Sequence, residues 1–264
     1  MSKTTHTSTA LPDGDPPAMD SFGDGLQAAV IGASGGIGQA FVDHLASIEA
    51  VAGVHAFARR QLDVSGGKVT AGRLDLESED SIAEAAEAAK DAAGELDLVI
   101  VATGVLHDGD ELQPEKTWRS LEHGALARAY DVNAIGPALV AKHFLPLLPR
   151  DRKSVFAALS ARVGSISDNG FGGWHSYRAS KAALNMLIRN FAIELARRND
   201  KAVCVGLHPG TVESALSEPF QRNVPEGKLF TPAYATGRML RVIDGLTHEH
   251  SGRLFAWDGE EIAP

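Results

Sequence analysis

Ile31-Gly32-Ala33-Ser34-Gly35-Gly36-Ile37-Gly38 is the stretch on which the reading of this chain turns. It closes an apolar run, Leu26 to Ile31, that predicts a strand. It opens a helical pattern, Gly36 to Ile48, with Ile37, Ala40, Phe41 and Leu45 on one face. Gly32, Gly36 and Gly38 give the spacing G-x-x-x-G-x-G. Between a strand and a helix, such a turn lets the backbone approach a pyrophosphate while the helix N-terminus directs partial positive charge at it. The candidate cradle is Gly32, Ser34, Gly36, Ile37 and Gly38. A tight turn with no ligand would also use glycine, and the commoner G-x-G-x-x-G spacing does not occur at this turn.

Working outward, short apolar runs alternate with helical patterns. Strands are expected at Val51–Ala58, Lys68–Leu74, Leu96–Ala102, Ser154–Leu159, Ala202–Leu207 and Leu254–Ala256. Helices are expected at Ser78–Ala93, about Ala125–Leu148, Ser176–Arg198 and Ala233–Leu246. Strands that are apolar throughout belong to a parallel sheet covered on both faces. The alternation therefore predicts an α/β fold, a doubly wound parallel sheet of Rossmann type. No linker divides residues 24–264, which are read as one dinucleotide-binding domain. Residues 1–23, rich in Thr, Ser, Pro and Asp without apolar periodicity, are expected to be a disordered tail.

The end of the second strand selects the cofactor. A carboxylate there would bind a ribose hydroxyl, and arginine would accommodate a 2′-phosphate. The chain reads Ala58-Arg59-Arg60, which points to NADP rather than NAD; a solvated basic pair is the alternative. Asp75, followed by Leu76, ends the third strand, where its carboxylate could accept from an adenine amino group or cap a helix. Tyr177 and Lys181 are four apart on one helical face. An ammonium beside a phenol favours the phenolate, which would let Tyr177 exchange a proton nearer neutral pH. Most such pairs are solvated neighbours; this one follows the fifth strand, and strand C-termini carry the ligands of open α/β sheets.

Taken together, Gly32/Gly36/Gly38, Asp75, Asn133, Tyr177/Lys181 and Pro209-Gly210 resemble the short-chain dehydrogenase/reductase family from Leu26 to Ala256. The segments Gly164–Asn169 and Gly173-Trp174 are similar to the branch that holds a bacterial C-factor signalling protein and sniffer-type carbonyl reductases. The resemblance implies Tyr177 as general acid or base and Lys181 as the group that lowers its pKa and holds the nicotinamide ribose. It implies Asn133 as the holder of a relay water, and Ala102, Gly104, Pro209, Thr211 and Val212 as cofactor contacts. It also implies a lid between Val212 and Leu229, whose Leu216, Phe220 and Val224 suit an apolar carbonyl or alcohol substrate.

Two positions depart from the family pattern. Where it has Asn-Asn-Ala-Gly, this chain has Val101-Ala102-Thr103-Gly104, which should still bind cofactor. Where it has a substrate-orienting serine, this chain has Ala161, and counting back from Tyr177 lands on Gly164. Ser160 and Ser165 flank the gap; Ser160, the nearer in sequence, is preferred, and a site using neither stays open.

Composition removes several classes. Across 264 residues, 25 basic and 34 acidic side chains leave a net charge of −9 with no basic stripe, which argues against nucleic acid. No apolar run approaches a membrane span or a secretory signal, so a cytoplasmic protein is expected. The lone Cys204 reads as a core residue, and the histidines show no metal-ligand spacing. The family implies a homodimer or homotetramer through its two long helices. An NADP-dependent oxidoreductase is the leading reading; the alternative is a nucleotide-binding regulatory or signalling protein with weak catalysis.

Overall fold

The computed structural model describes residues 14–62, 67–109 and 112–264. Six strands form close to the expected positions: β1 (Leu26–Ile31), β2 (Val51–Ala58), β3 (Val69–Arg73), β4 (Leu98–Val101), β5 (Ser154–Leu159) and β6 (Ala202–His208). Two-residue strands β7 (Thr211–Val212) and β8 (Leu229–Phe230) form a separate ribbon. Strands β9 (Leu254–Ala256) and β10 (Glu261–Ile262) complete the main sheet, whose order is β10-β9-β6-β5-β4-β1-β2-β3. Every pair in that sheet is parallel except β9–β10. The strand β10 edge had no signal in the sequence, because two residues carry no periodicity.

Helices α1 (Gly36–Ser47) and α6 (Pro232–Gly245) cover one face, and α2 (Glu79–Ala93), α4 (Gly136–Phe144) and α5 (His175–Ala196) cover the other. Strand β1 shows why its run from Ala28 to Ile31 is apolar throughout. Ala28 and Val30 enter the first core, Ala29 and Ile31 the second, and all four are buried. The helix expected over about 125–148 is present with a defect. Helix α3 (His123–Tyr130) passes into a wide π turn at Asp131–Ile135 before α4 begins. Such turns widen the hydrogen-bond ladder and are frequent at functional sites; Asn133 lies in this one.

The strand order reverses between β1 and β4, and a crevice opens there beyond the carboxyl ends of the strands. Gly32, at φ +89°, turns the chain out of β1; a Cβ there would stand 2.7 Å from Thr103 Cγ2. A Cβ on Gly38 would overlap the Gly32 carbonyl oxygen. Glycine at both positions is what lets α1 start against the end of β1.

The expectation of a disordered tail over 1–23 needs correction for its second half; residues 1–13 lie outside the described residues. Residues 14–23 run as a strap over α6. Gly14 lies against Tyr234 and Gly237, Met19 is fully buried, and Phe22 is buried beside it. Ser21 donates to Asp244 Oδ1 from both its amide (3.1 Å) and its hydroxyl (2.6 Å), and Arg241 donates to the Asp15 carbonyl (2.9 Å). Lys153 Nζ joins Ser21 Oγ to the carbonyls of Ile243 and Asp244. Two isolated apolar anchors hold the segment, too few to register as a pattern. Truncating Met19 to Ala should therefore lower unfolding free energy by about 2–4 kcal/mol in urea titration. A loose tail would give a change within about 0.5 kcal/mol.

Candidate functional site

A cleft of about 690 Å³ lies at the switch point. Its floor is the glycine turn and the ends of β4, β5 and β6; its roof is the segment 214–224. Gly36, Ile37, Arg59, Ala102 and Gly104 line one end, and Ser160, Tyr177 and Lys181 the middle. Pro209, Thr211 and Val212 line the roof side, where β7 pairs with β8.

The two arginines after β2 have different partners. Arg60 donates to the Ser34 carbonyl at 3.1 Å, bracing the glycine turn, whereas Arg59 faces the cleft. Asp75 and Leu76 stand outside the cleft lining. An Asp75 carboxylate oxygen accepts the Glu77 amide (3.2 Å), and Leu76 packs against Gly136. Helix α2 takes its cap from Ser78, not from Asp75. Ser34, Gly32 and Gly38 shape the turn from behind.

Tyr177 and Lys181 project from the first turns of α5. Lys181 is buried and donates to the Leu159 carbonyl at 2.8 Å; its Nζ stands 5.9 Å from the centre of the Tyr177 ring. Burial pushes the Lys181 ammonium down to about 7 and the Tyr177 phenol up to about 12. The expected lowering of the phenol is thus not found: desolvation of the phenolate outweighs the lysine's charge. Burial likewise pushes the neighbouring His208 down to about 4, with Arg162 adding to the shift, so its imidazole is neutral.

Asn133 is fully buried, and its amide ties the loop after β4 to α5. Oδ1 accepts the Val105 amide (2.8 Å), while Nδ2 donates to the Val105 carbonyl (2.8 Å) and Ser180 Oγ (3.1 Å). Both its N–H groups are taken; a lone pair of Oδ1 remains. A Cβ on Gly104 would lie 3.4 Å from that oxygen and 3.5 Å from Lys181 Nζ, so the two atoms face one another across glycine.

Of the two candidate serines, Ser165 closes its own turn. Its hydroxyl accepts the Asp168 amide at 3.1 Å and lies off the cleft. Ser160 is on the cleft wall, with its hydroxyl on Asn185 Oδ1 at 2.6 Å. Asn185 Nδ2 is buried without a partner. Sequence reading passed over Asn185, although it lies one helical turn beyond Lys181 on the same face.

Aromatic groups enclose the mouth. Phe220 of the roof lies 5.0 Å from Trp174 and 6.1 Å from His107, and Trp174 meets Tyr177 edge to face at 6.4 Å. His107 Nε2 also hydrogen-bonds the Ala215 carbonyl at 2.9 Å. Each pair is distant in sequence except Trp174 and Tyr177, and no spacing rule reveals it.

Two observations fit the site to a nicotinamide cofactor. Gly35 and Gly36 line the cleft, where an added Cβ would meet no atom of the chain closer than 3.5 Å and would stand in the space a ligand would use, and Thr103 Oγ1 on the cleft wall is buried with no hydrogen-bond partner. A buried hydroxyl left unpaired marks a place where a ligand's polar group belongs.

Comparison with known proteins agrees with this geometry. The sequence pattern of the short chain dehydrogenase family matches residues 27–225. C-signal of Myxococcus xanthus is 39% identical over 142 residues, 54% of this chain and 80% of that one. A 1-hydroxy-2-glutathionyl-2-methyl-3-butene dehydrogenase of Rhodococcus is 34% identical over 186 residues, 70% of this chain and 76% of that one. Among solved structures, an NADPH-bound carbonyl reductase from chicken fatty liver superposes with a TM-score of 0.78 at 26% identity, covering 97% of this chain and all of that one. No helix among the described residues is long and apolar enough to cross a membrane. With a doubly wound parallel sheet, the glycine turn at its switch point and the family pattern over three-quarters of its length, the chain belongs to the short-chain dehydrogenase family.

Proposed function

We propose that this protein is an NADP-dependent oxidoreductase that transfers hydride between the nicotinamide and a small carbonyl or alcohol substrate. The observation that carries the reading is Tyr177 and Lys181 side by side in a cleft whose other end is the glycine turn and Arg59. NADP, when bound, supplies or accepts the hydride. The chain's residues do the rest. The turn of Gly32, Gly36 and Gly38, braced by Arg60, receives the diphosphate, and Arg59 takes the 2′-phosphate. Thr103 offers its unpaired hydroxyl to the same ligand. Pro209, Thr211 and Val212 border the nicotinamide end.

In reduction, Tyr177 gives its proton to the substrate oxygen. A phenol near 12 is fully protonated at neutral pH, so the donor is always loaded. The phenolate left behind is what needs support, and Lys181, whose Nζ stands 5.9 Å from the centre of the phenol ring, supplies it. A water between Asn133 Oδ1 and Lys181 Nζ would return the proton. Ser160, linked to Asn185, orients the substrate oxygen where the family pattern has serine at Ala161. The aromatic mouth and Leu216 favour an apolar substrate. The exposed apolar groups on α5 and the π turn, Met186, Ile193 and Ile135, suit packing of a second copy.

The regulatory reading draws on one observation, Ala161 at the serine position, together with the likeness to C-signal. Turnover separates the two: NADPH oxidation with a panel of aldehydes, ketones and quinones supports the enzyme, and tight NADPH binding with no turnover supports the regulator. Within the enzyme reading, Tyr177→Phe should lower kcat by about 10²–10⁴-fold while NADPH affinity stays within roughly twofold. A variant keeping more than about a tenth of wild-type kcat contradicts the assignment.

Arg59→Ala should weaken NADPH binding about 10- to 150-fold, the loss of one charge-assisted contact, and leave NADH unchanged. Equal weakening of both cofactors would make the arginine a solvated cation.

The Lys181 shift sets a pH dependence. Its ammonium titrates near 7 in the free protein, and ribose oxygens beside it favour the charged form and raise that value in the complex. Binding then takes up a proton between the two values. NADPH affinity should therefore be full below pH 7 and fall as pH rises above it, by up to about tenfold per pH unit. Fluorescence titration from pH 6 to 9 checks this, with Lys181→Met expected to bind weakly and without the slope. Affinity that rises with pH would be opposite in sign.

A further inference from the structure

The start of α5 is built in an unusual way. Its N-cap residue is Trp174, which has no capping side chain and sits in the left-handed region at φ +49°. Large non-glycine residues rarely accept that backbone, and they keep it only when their surroundings impose it. Here the imposing residue is Glu115, sixty-one positions from Ser176 and on the loop after β4. The Glu115 backbone carbonyl accepts the Trp174 amide. One carboxylate oxygen accepts the Ser176 amide at 3.2 Å, and the other accepts the Ser176 hydroxyl. Glu115 is only 5% exposed, and none of the ion pairs among the described residues includes it. A buried carboxylate without a cation is costly unless hydrogen bonds and a helix N-terminus compensate it.

We infer that Glu115 is a positioning residue for Tyr177: a cap supplied from outside the helix sets where α5 begins and how Trp174 stands over the phenol. The geometry gives it two effects. The carboxylate fixes Ser176, the residue before Tyr177, and so fixes the phenol's height along the cleft. Its carbonyl holds Trp174 in the strained backbone from which the indole meets both Tyr177 and Phe220. No spacing connects position 115 to position 176, so the sequence carries no trace of it. The inference rests on Tyr177 as the proton donor, and the experiment separates the two.

The chain has three tyrosines, Tyr130, Tyr177 and Tyr234. In full-length protein labelled with 3-fluorotyrosine, three ¹⁹F resonances are expected, with that of residue 177 identified by its loss in Tyr177→Phe. Glu115→Ala should shift the Tyr177 resonance and leave the other two in place. Glu115→Gln should restore it, because an amide can accept the Ser176 amide and donate to the Ser176 hydroxyl. Ser176→Ala, which keeps the amide contact, should shift it less and serves if Glu115→Ala fails to fold. With menadione or benzaldehyde and NADPH, kcat per NADPH-binding site should fall about 10- to 100-fold in Glu115→Ala. It should return in Glu115→Gln, with NADPH affinity unchanged throughout. A Tyr177 resonance that stays in place, or a lower melting temperature with undiminished kcat per site, overturns the proposal. If Tyr177→Phe retains its kcat, or the wild type turns over neither compound, the acid reading is in question. The fluorine shift then decides the positioning role alone.

Discussion

The contact between Gly38 and the Gly32 carbonyl is the constraint from which the site follows. With no side chain at position 38, α1 begins hard against the end of β1. Its first amides then open onto the crevice beside β4, and its body covers one face of the sheet together with α6. Several other groups of the cleft enter from strand ends on that same edge, Arg59 after β2, Thr103 after β4, Ser160 after β5 and Pro209 after β6, while Tyr177 and Lys181 enter from α5. A parallel sheet brings such ends together because each crossover returns the chain to the same starting edge.

Desolvation governs the chemistry of that edge. The Tyr177 phenol is driven up, and the Lys181 ammonium and His208 imidazolium are driven down. All three move toward their neutral forms, as burial without a counter-charge requires. In the proposed reaction, the Lys181 proton would be bound loosely until ribose oxygens come beside it, and the Tyr177 proton would be held until a basic oxygen forms on a substrate. The aromatic groups Trp174, Phe220 and His107 border the mouth of this region.

Much of this was legible in the sequence, for a definite reason. Strands β1, β2, β5 and β9 are predominantly apolar runs, and their bounds match the reading residue for residue. The glycine turn and the Tyr177/Lys181 pair are local spacings, readable along one element. What escaped is non-local or too short. Strand β10 and the β7–β8 ribbon are two residues long, and the strap at Met19 and Phe22 is held by isolated anchors. Glu115, Asn185 and the His107–Phe220–Trp174 enclosure act across folds of the chain. The phenol's direction of shift was misread because spacing shows which charges are near and not how far water has been removed from them.

Amide hydrogen exchange of the full chain, measured with and without NADPH, tests the central claim most directly. Binding at the switch point should slow exchange at residues 32–38, 102–105 and 209–212 together and leave the outer faces of α4 and α5 unchanged. Protection confined to the outer faces of α4 and α5, or none at the glycine turn under saturating NADPH, would contradict the assignment of this cleft.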